Sequence, residues 1–563
     1  MRSHFFKILS VLLLILPLFT QLNATHIRGG YISAVLLENN TLTYRISLYS
    51  LTDAGSTVLF GGGDMDFGDG SNPVGFEAGN PDYSKLLDDQ VVMNIFYVEH
   101  SFPGPGTYTI RYREFNRNAS VANMTNSVNT PFYLETQILI DPYLGTNSTA
   151  KILNHFPFKN KVNQPYFFPI NVSDPDGDSV SIESAIPLQD KDIPVSNYFV
   201  PANFDGEKIL SQLQLHVPSN EIVWANPLEE DEYNFAIKIL EWRFSQSENS
   251  WITVGYTLYD FQLIISERSD QSPYVMDLAD TAILISQPFE RSITVFDDPS
   301  DSVRIWVTNN FPETTEFNVT FDSEKYYSTP VEGKISILNT NRLGRSEPYK
   351  IVLNMNPKNW ESTSSQKSTM LWITDQAGKP TPPVGLKTVL AFRNKIILNW
   401  QDQSDNEAGF VIERADSFFP DFIRIVALPE NTSEFTDENV IPNRDYYYRV
   451  KAIGTEGSAY SEILEVRELD IITNLQEDIP ECETILYPNP MENYLQISWD
   501  ANNGLPVSIK IFDSDGKIWM ENAPNNFHEN NKIQIPMIDL PSGIYFIRIE
   551  TESIIVNRKL VKK

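Results

Sequence analysis

Two stretches of this chain repeat each other at a constant offset of 123 residues. Gln164-Pro165-Tyr166 with Ile170, Val172, Asp174, Asp178, Ser179, Val180 and Ile182 returns as Gln287-Pro288-Phe289 with Ile293, Val295, Asp297, Asp301, Ser302, Val303 and Ile305. A fixed offset carrying the same residue pattern marks a duplicated structural unit. In each copy, apolar side chains two residues apart share one strand face on either side of an acidic turn. The expected form is a hairpin with both apolar sides inward, because period-two alternation fixes which face is buried. Each copy closes on a late strand: Tyr233, Phe235, Ile237 and Ile239 in the first, Tyr349, Ile351 and Leu353 in the second.

The same short period runs along the whole chain, and long helical periodicity is nearly absent. Runs rich in Val, Ile, Thr and Tyr are punctuated by Gly, Pro, Asn and Asp, which is how strands and their turns read. The expected fold class is all-β: serial β-sandwich domains of immunoglobulin-like or fibronectin type III-like form, strung in an extended multidomain chain. A chain of 563 residues is long enough for several such cores. The repeats are assigned to 142–268 and 269–378 and resemble cadherin-like or immunoglobulin-like modules of bacterial surface proteins. Glu267-Arg268-Ser269-Asp270 marks the junction between them. Pro380, Pro382 and Pro383 form a stiff hinge before the next module.

That module, 379–468, alternates at Ile396, Leu398 and Trp400, then at Tyr446, Tyr448, Val450 and Ala452. Trp400 to Glu407 and Tyr446-Tyr447-Tyr448-Arg449-Val450 with Gly457-Ser458 resemble a fibronectin type III domain. The first segment, 25–141, opens with Thr25-His26-Ile27-Arg28-Gly29-Gly30. Its turn Asp66-Phe67-Gly68-Asp69-Gly70-Ser71 is answered by His100-Ser101-Phe102 and Gly106-Thr107-Tyr108-Thr109-Ile110. That pairing resembles a PKD-like sandwich, with Met65 where a Trp usually precedes the turn and an insertion that includes Asn80 to Asp89. Asn116-Arg117-Asn118 and the stretch through Phe132 also resemble N-terminal regions of secreted surface proteins of gliding bacteria.

Both ends read as export signals. Arg2 and Lys7 precede the apolar run Ile8 to Phe19, and Leu22-Asn23-Ala24 offers a cleavage site. This is a signal peptide in outline, assigned to 1–24, with no later run long enough to span a bilayer. After a polar linker at 469–484, the last segment, 485–563, opens with Tyr487-Pro488-Asn489-Pro490. It continues through Asp513-Ser514-Asp515-Gly516 and Leu540-Pro541-Ser542-Gly543 into Tyr545, and ends on Lys562 and Lys563. These motifs in this order resemble the type A C-terminal sorting domain of the type IX secretion system, found on secreted surface proteins of Bacteroidota. The resemblance implies passage by the Sec translocon and then the type IX machinery, through the periplasm, to the cell surface or beyond.

Composition narrows the partners. Lys and Arg number 43 against 74 Asp and Glu, a formal charge of −31. Such a chain repels nucleic acid and anionic membrane, whose binding needs positive charge. The lone Cys482 rules out an internal disulfide. Six histidines are scattered, and the chain has no H-E-x-x-H, no G-x-S-x-G and no phosphate-binding loop, so the reading is non-enzymatic.

Calcium is the one cofactor the residues suggest. Asp174, Asp176 and Asp178 set three carboxylates around the turn glycine Gly177, and carboxylates are the hard oxygen ligands Ca²⁺ takes. The second copy keeps Asp297 and Asp301, and Asp64, Asp66 and Asp69 form a third cluster. The alternative is a solvated turn whose Asp side chains cap backbone N–H groups. Trp251 and Trp360, in polar surroundings, are the candidate sugar-stacking residues. The function expected is an adhesin or extracellular scaffold. The alternatives are a polysaccharide-binding accessory protein or a hydrolase of unrecognised site.

Overall fold

The computed structural model describes residues 27–467 and 485–562, apart from 40, 88–89, 155–158, 206–207, 217–218, 268–271, 277, 313, 360–361, 393–394, 417–420, 442–443, 488–490, 492–493, 499–505, 514–516, 523–531, 539 and 552–554. The expected signal peptide, the 469–484 linker with Cys482, and Trp360 lie outside the described residues. Regular structure among the described residues is strand throughout, with a single 3-10 turn at Ser127–Asn129. No helix is long and apolar enough to cross a membrane. The fold is all-β, as the alternation predicts.

Three modules are sandwiches of two sheets each. Strands between 274 and 374 form a four-stranded and a five-stranded sheet around Ile293, Val295, Val303, Ile305 and Leu353. Strands between 384 and 466 form a three-stranded sheet facing one built on Gly409–Ala415 and Tyr446–Gly454, with Trp400 in the core. Strands between 485 and 562 form sheets of three and four around Leu495, Ile497, Ile511 and Ile547.

The two arms flanking the acidic turn are not a hairpin, contrary to expectation. Phe289–Phe296 bonds to Tyr274–Val275 and Val331–Ile337, whereas Ser302–Asn309 bonds to Tyr326–Ser328 and Tyr349–Pro357. In the first copy, Tyr166–Pro169 pairs with Glu221–Trp224, and Ser179–Ala185 with Asp231–Ser245. The arms lie in opposite sheets and meet through their side chains, so the inward alternation survives while the pairing does not. The turn explains why. Its Asp carboxylates take up its own N–H groups, so the segment arches across the roughly 10 Å between layers instead of closing a ladder.

Residues 27–266 carry a second departure. Thirteen of their strands share one sheet, a separate four-stranded sheet pairs Tyr166–Pro169 with Glu221–Trp224, and pairing in the large sheet crosses the boundary read at 141/142. The strand Ser250–Ser266 pairs along its length with Asp231–Ser245. On its other edge it meets Phe132–Asp141 at residues 255–257, Ile27–Glu38 at 260–261, and Lys159–Lys161 at 264–266. Gly29 permits the middle contact, and Gly30 the close approach of the strand Thr43–Asp53 beside it. A Cβ on Gly29 would stand 2.5 Å from the Asp260 carbonyl oxygen, and one on Gly30 would stand 2.4 Å from that of Tyr49. Tyr31, Leu51 and Met93 of the first segment accordingly share a core with Trp224, Phe235 and Phe261.

Arg117, within the Asn-Arg-Asn stretch, seals this junction. It is fully buried and donates to Asp260 at 2.6 Å, to the carbonyls of Pro131 and Leu188, and to Asn234. Buried charge is tolerable only when paired and hydrogen-bonded in this way. The later modules dock too. Lys350 is buried and donates its Nζ hydrogens to the carbonyls of Ile170, Ser219 and Asn220 in the second repeat's neighbour. Trp372 packs on Ala408, Val411 and Ile453 of the module that follows.

Candidate functional site

The arch of the first repeat holds the chemistry that its sequence suggests. Asp174 Oδ1 accepts the backbone N–H groups of Asp176 and Asp178 at 2.9 and 3.0 Å, and Gly177 takes a positive φ of 84° to close the turn. Asp174 Oδ2 is left buried without a hydrogen-bond partner. Asp176 Oδ2 accepts the Ser148 N–H at 2.5 Å. Ligand oxygens from Asp174, Asp176 and Asp178 lie within 4.8 Å of one another, a spacing that one hard cation can span.

Three residues that sequence reading did not single out complete the cluster. Arg243 clamps Asp178 through Nε and Nη2 at 2.7 and 2.5 Å, and also donates to the carbonyls of Leu144 and Thr146. Glu241 is fully buried, accepting the Ala150 N–H at 2.7 Å and the Asn147 side-chain amide. Burial, with Asp174 and Asp178 nearby, pushes its carboxyl up to about 8; burial likewise pushes Asp174 up to about 6. One guanidinium therefore faces three aspartates, with the Glu241 carboxyl beside them. The donor set fits a divalent cation: it is all oxygen, under-neutralised, and carries one orphaned carboxylate oxygen. Glu241 had a visible signal, since it continues the inward alternation of Tyr233, Phe235, Ile237 and Ile239. Asn147 had none.

The other acidic turns are built differently. Asp301 accepts the N–H groups of Ser302 and Asn359, and Asp297 accepts that of Asp298. Among the described residues, neither these nor Asp64, Asp66 and Asp69 gather into a group of three ligands. Asp69 instead bonds His100 at 2.7 Å, and the His100 ring stacks on Phe67 at 3.9 Å. That contact joins the two motifs which the sequence set against each other. Burial raises Asp69, but hydrogen bonds from Ser71 and His100 outweigh it and hold the carboxyl at about 2.

Of the tryptophan candidates, Trp251 is 58% exposed at the tip of the 231–266 hairpin, edge-on to Phe244 with centroids 5.6 Å apart. Phe244 follows Arg243 directly, so this aromatic pair and the acidic arch share one end of the strand.

In the last module Tyr545 is buried at the start of the strand Gly543–Thr551 and donates from Oη to the Pro541 carbonyl at 2.8 Å. Gly543, the first residue of that strand, is exposed, and Lys562 closes the final strand. Tyr487 ends the strand Ile485–Tyr487. Pro488, Asn489, Pro490, Gly516 and Lys563 lie outside the described residues. The Tyr545 arrangement is a tyrosine corner, and it recurs: Tyr108 donates to Gly104, Tyr233 to Glu229, and Tyr446 to Ile441, each reaching back to a carbonyl just upstream. The spacing of proline, glycine and tyrosine in the last module is thus a hydrogen-bonded corner.

Comparison with known proteins finds similar chains. Domains A168–A170 of titin align with 57% of this chain and 98% of their own, at 14% identity and a TM-score of 0.15. The FN1–FN3 domains of chicken CNTN1 align with 52% of this chain and all of theirs, at 11% identity and a TM-score of 0.19. Residues 485–563 match the family of the secretion system C-terminal sorting domain.

Proposed function

We propose that this chain is a non-catalytic, multidomain cell-surface protein that acts as an adhesin or extracellular scaffold after export by the type IX system. The observation that carries the reading is the sorting domain at 485–563, which marks what precedes it as cargo for the outside of the cell. The cargo is a set of β-modules locked to one another by buried ion pairs, which suits a part that bears load or presents a surface. A divalent cation, most naturally Ca²⁺ in an extracellular setting, is held by Asp174, Asp176 and Asp178 and stiffens the arch. The N-terminal apolar run acts as the signal for the Sec translocon. Deleting 485–563 and fractionating the cells tests export: accumulation in the periplasm supports it, and continued surface display defeats it. A deletion strain that attaches and moves like its parent would remove the adhesin role.

A second reading, polysaccharide binding, is favoured by the exposed Trp251–Phe244 pair, whose faces suit sugar rings. Loss of affinity for a defined polysaccharide in Trp251→Ala separates it from the first. Product release from a panel of polymers would instead mark a hydrolase.

A further inference from the structure

Where the first segment meets the third module, a cavity of about 240 Å³ is walled by basic and amide groups. Its floor is the outer face of the sheet built on Ser302–Asn309. Arg304 pairs in register with Tyr326 on one side and Asn356 on the other, so the three side chains stand in a row on one face. Lys358 falls two residues beyond Asn356, on the same face, with Nζ 6.0 Å from the Tyr326 ring centroid. The opposite wall is Leu86 and Leu87 of the first segment, held by a hydrogen bond from Arg304 Nη2 to the Leu87 carbonyl at 3.2 Å.

The donors here are under-used. Arg304 Nε is buried without a hydrogen-bond partner. Neither Arg304 nor Lys358 forms an ion pair among the described residues, although acidic groups outnumber basic ones 74 to 43 in the chain. Asn356 spends its carbonyl oxygen on the Ser364 hydroxyl at 2.6 Å, which leaves its amide hydrogens as donors. Lys159, Arg304 and Lys358 put three cations, with the Asn356 amide, around one small cavity, the complement of an oxyanion. The cavity admits one sugar-sized unit, and the Tyr326 ring gives that unit an apolar edge to lie on. A chain of net charge −31 repels a dense polyanion as a whole, so an isolated anionic group suits it better.

We propose that this seam binds a single carboxylate or sulfate ester carried by an acidic glycan, gripped by Arg304, Lys358 and Asn356. The reading goes beyond the surface role above and stands whether or not the acidic arch takes calcium. Calorimetry on the full chain, at constant ionic strength, with sodium sulfate, galacturonate, a 6-sulfated galactose and neutral galactose tests it. Binding of the anionic sugars with none of galactose is expected, weakened about tenfold or more in Lys358→Gln and in Arg304→Gln. Lys358 is exposed, so its variant keeps the fold intact, and Lys334→Gln, a surface cation away from the seam, should bind as the parent does. Tighter binding of the sugars than of sulfate assigns the glycan; equal binding assigns a free anion at the same site. No binding by any of the anions, or binding that both seam variants leave unchanged, overturns the proposal.

Discussion

Arg424 of the module at 384–466 donates to Glu221 Oε1 of the second segment at 2.8 Å, and through its other terminal nitrogen to Asp280 of the third module. Ser368, also in the third module, bonds both Arg424 and Glu221. One side chain thus joins three modules, and the Arg424 cation, followed by Lys350, offsets burial to hold the Glu221 carboxyl at about 2. Removing one partner of such a pair leaves a buried charge unmatched, which costs about 3–5 kcal/mol. Arg424→Ala should therefore lower stability by about that amount and split urea unfolding into separate steps as the modules uncouple. A single transition with the parent's midpoint would argue against the lock.

The arch makes its own prediction for calcium. Cation binding stabilises the folded chain by about 2.7 kcal/mol at a hundredfold excess over Kd, so millimolar Ca²⁺ should raise the melting temperature and chelator should lower it. Asp174→Asn keeps the turn's size but removes the oxygen that lacks a partner, and should abolish the calcium response. A response that is absent in the parent, or undiminished in the variant, counts against ligation there.

Glu241 gives the pH dependence a definite sign. Its folded carboxyl titrates at about 8, against about 4.3 when unfolded, so the folded state binds the extra proton between those values. Stability contributed by this group is present below the unfolded value and is lost as pH rises. His216, driven down to about 4 by burial, acts in the opposite sense, but only below its unfolded value of about 6.5. Between pH 6.5 and 8 Glu241 should dominate, with stability falling by about 2 kcal/mol. Glu241→Gln should flatten that slope in a thermal-melt series without added calcium.

The corner in the sorting module can be tested by one hydroxyl. Tyr545→Phe removes the bond to Pro541 while keeping the ring against Trp519, whose centroid is 6.2 Å away. The loss is about 1 kcal/mol, the usual net worth of such a bond. Limited proteolysis should release the last module sooner in the variant, with the preceding modules unaffected.

Much of this architecture is legible from local pattern. The alternation at Ile293, Val295, Val303 and Ile305 marks the inward residues correctly, and Trp400 is buried as its strand implies. Which strands pair is less legible, because the same inward pattern serves a hairpin and an arch alike. The carboxylates of Asp174, Asp176 and Asp178 are adjacent in sequence and were readable; Arg243 and Asn147 reach them only through the tertiary fold. Arg424 and Lys350 likewise look like ordinary surface cations until neighbouring modules enclose them.

The strand Ser250–Ser266, which zips onto three separate strands of the first segment and its sequel, has a consequence for how the protein is assembled. The earliest strands to leave the ribosome wait with raw edges for a partner made far downstream, and distant pairings of that kind form slowly. A fragment that stops at residue 141 would keep those edges open and invite sticking between molecules, whereas one that runs to 266 carries its own closure.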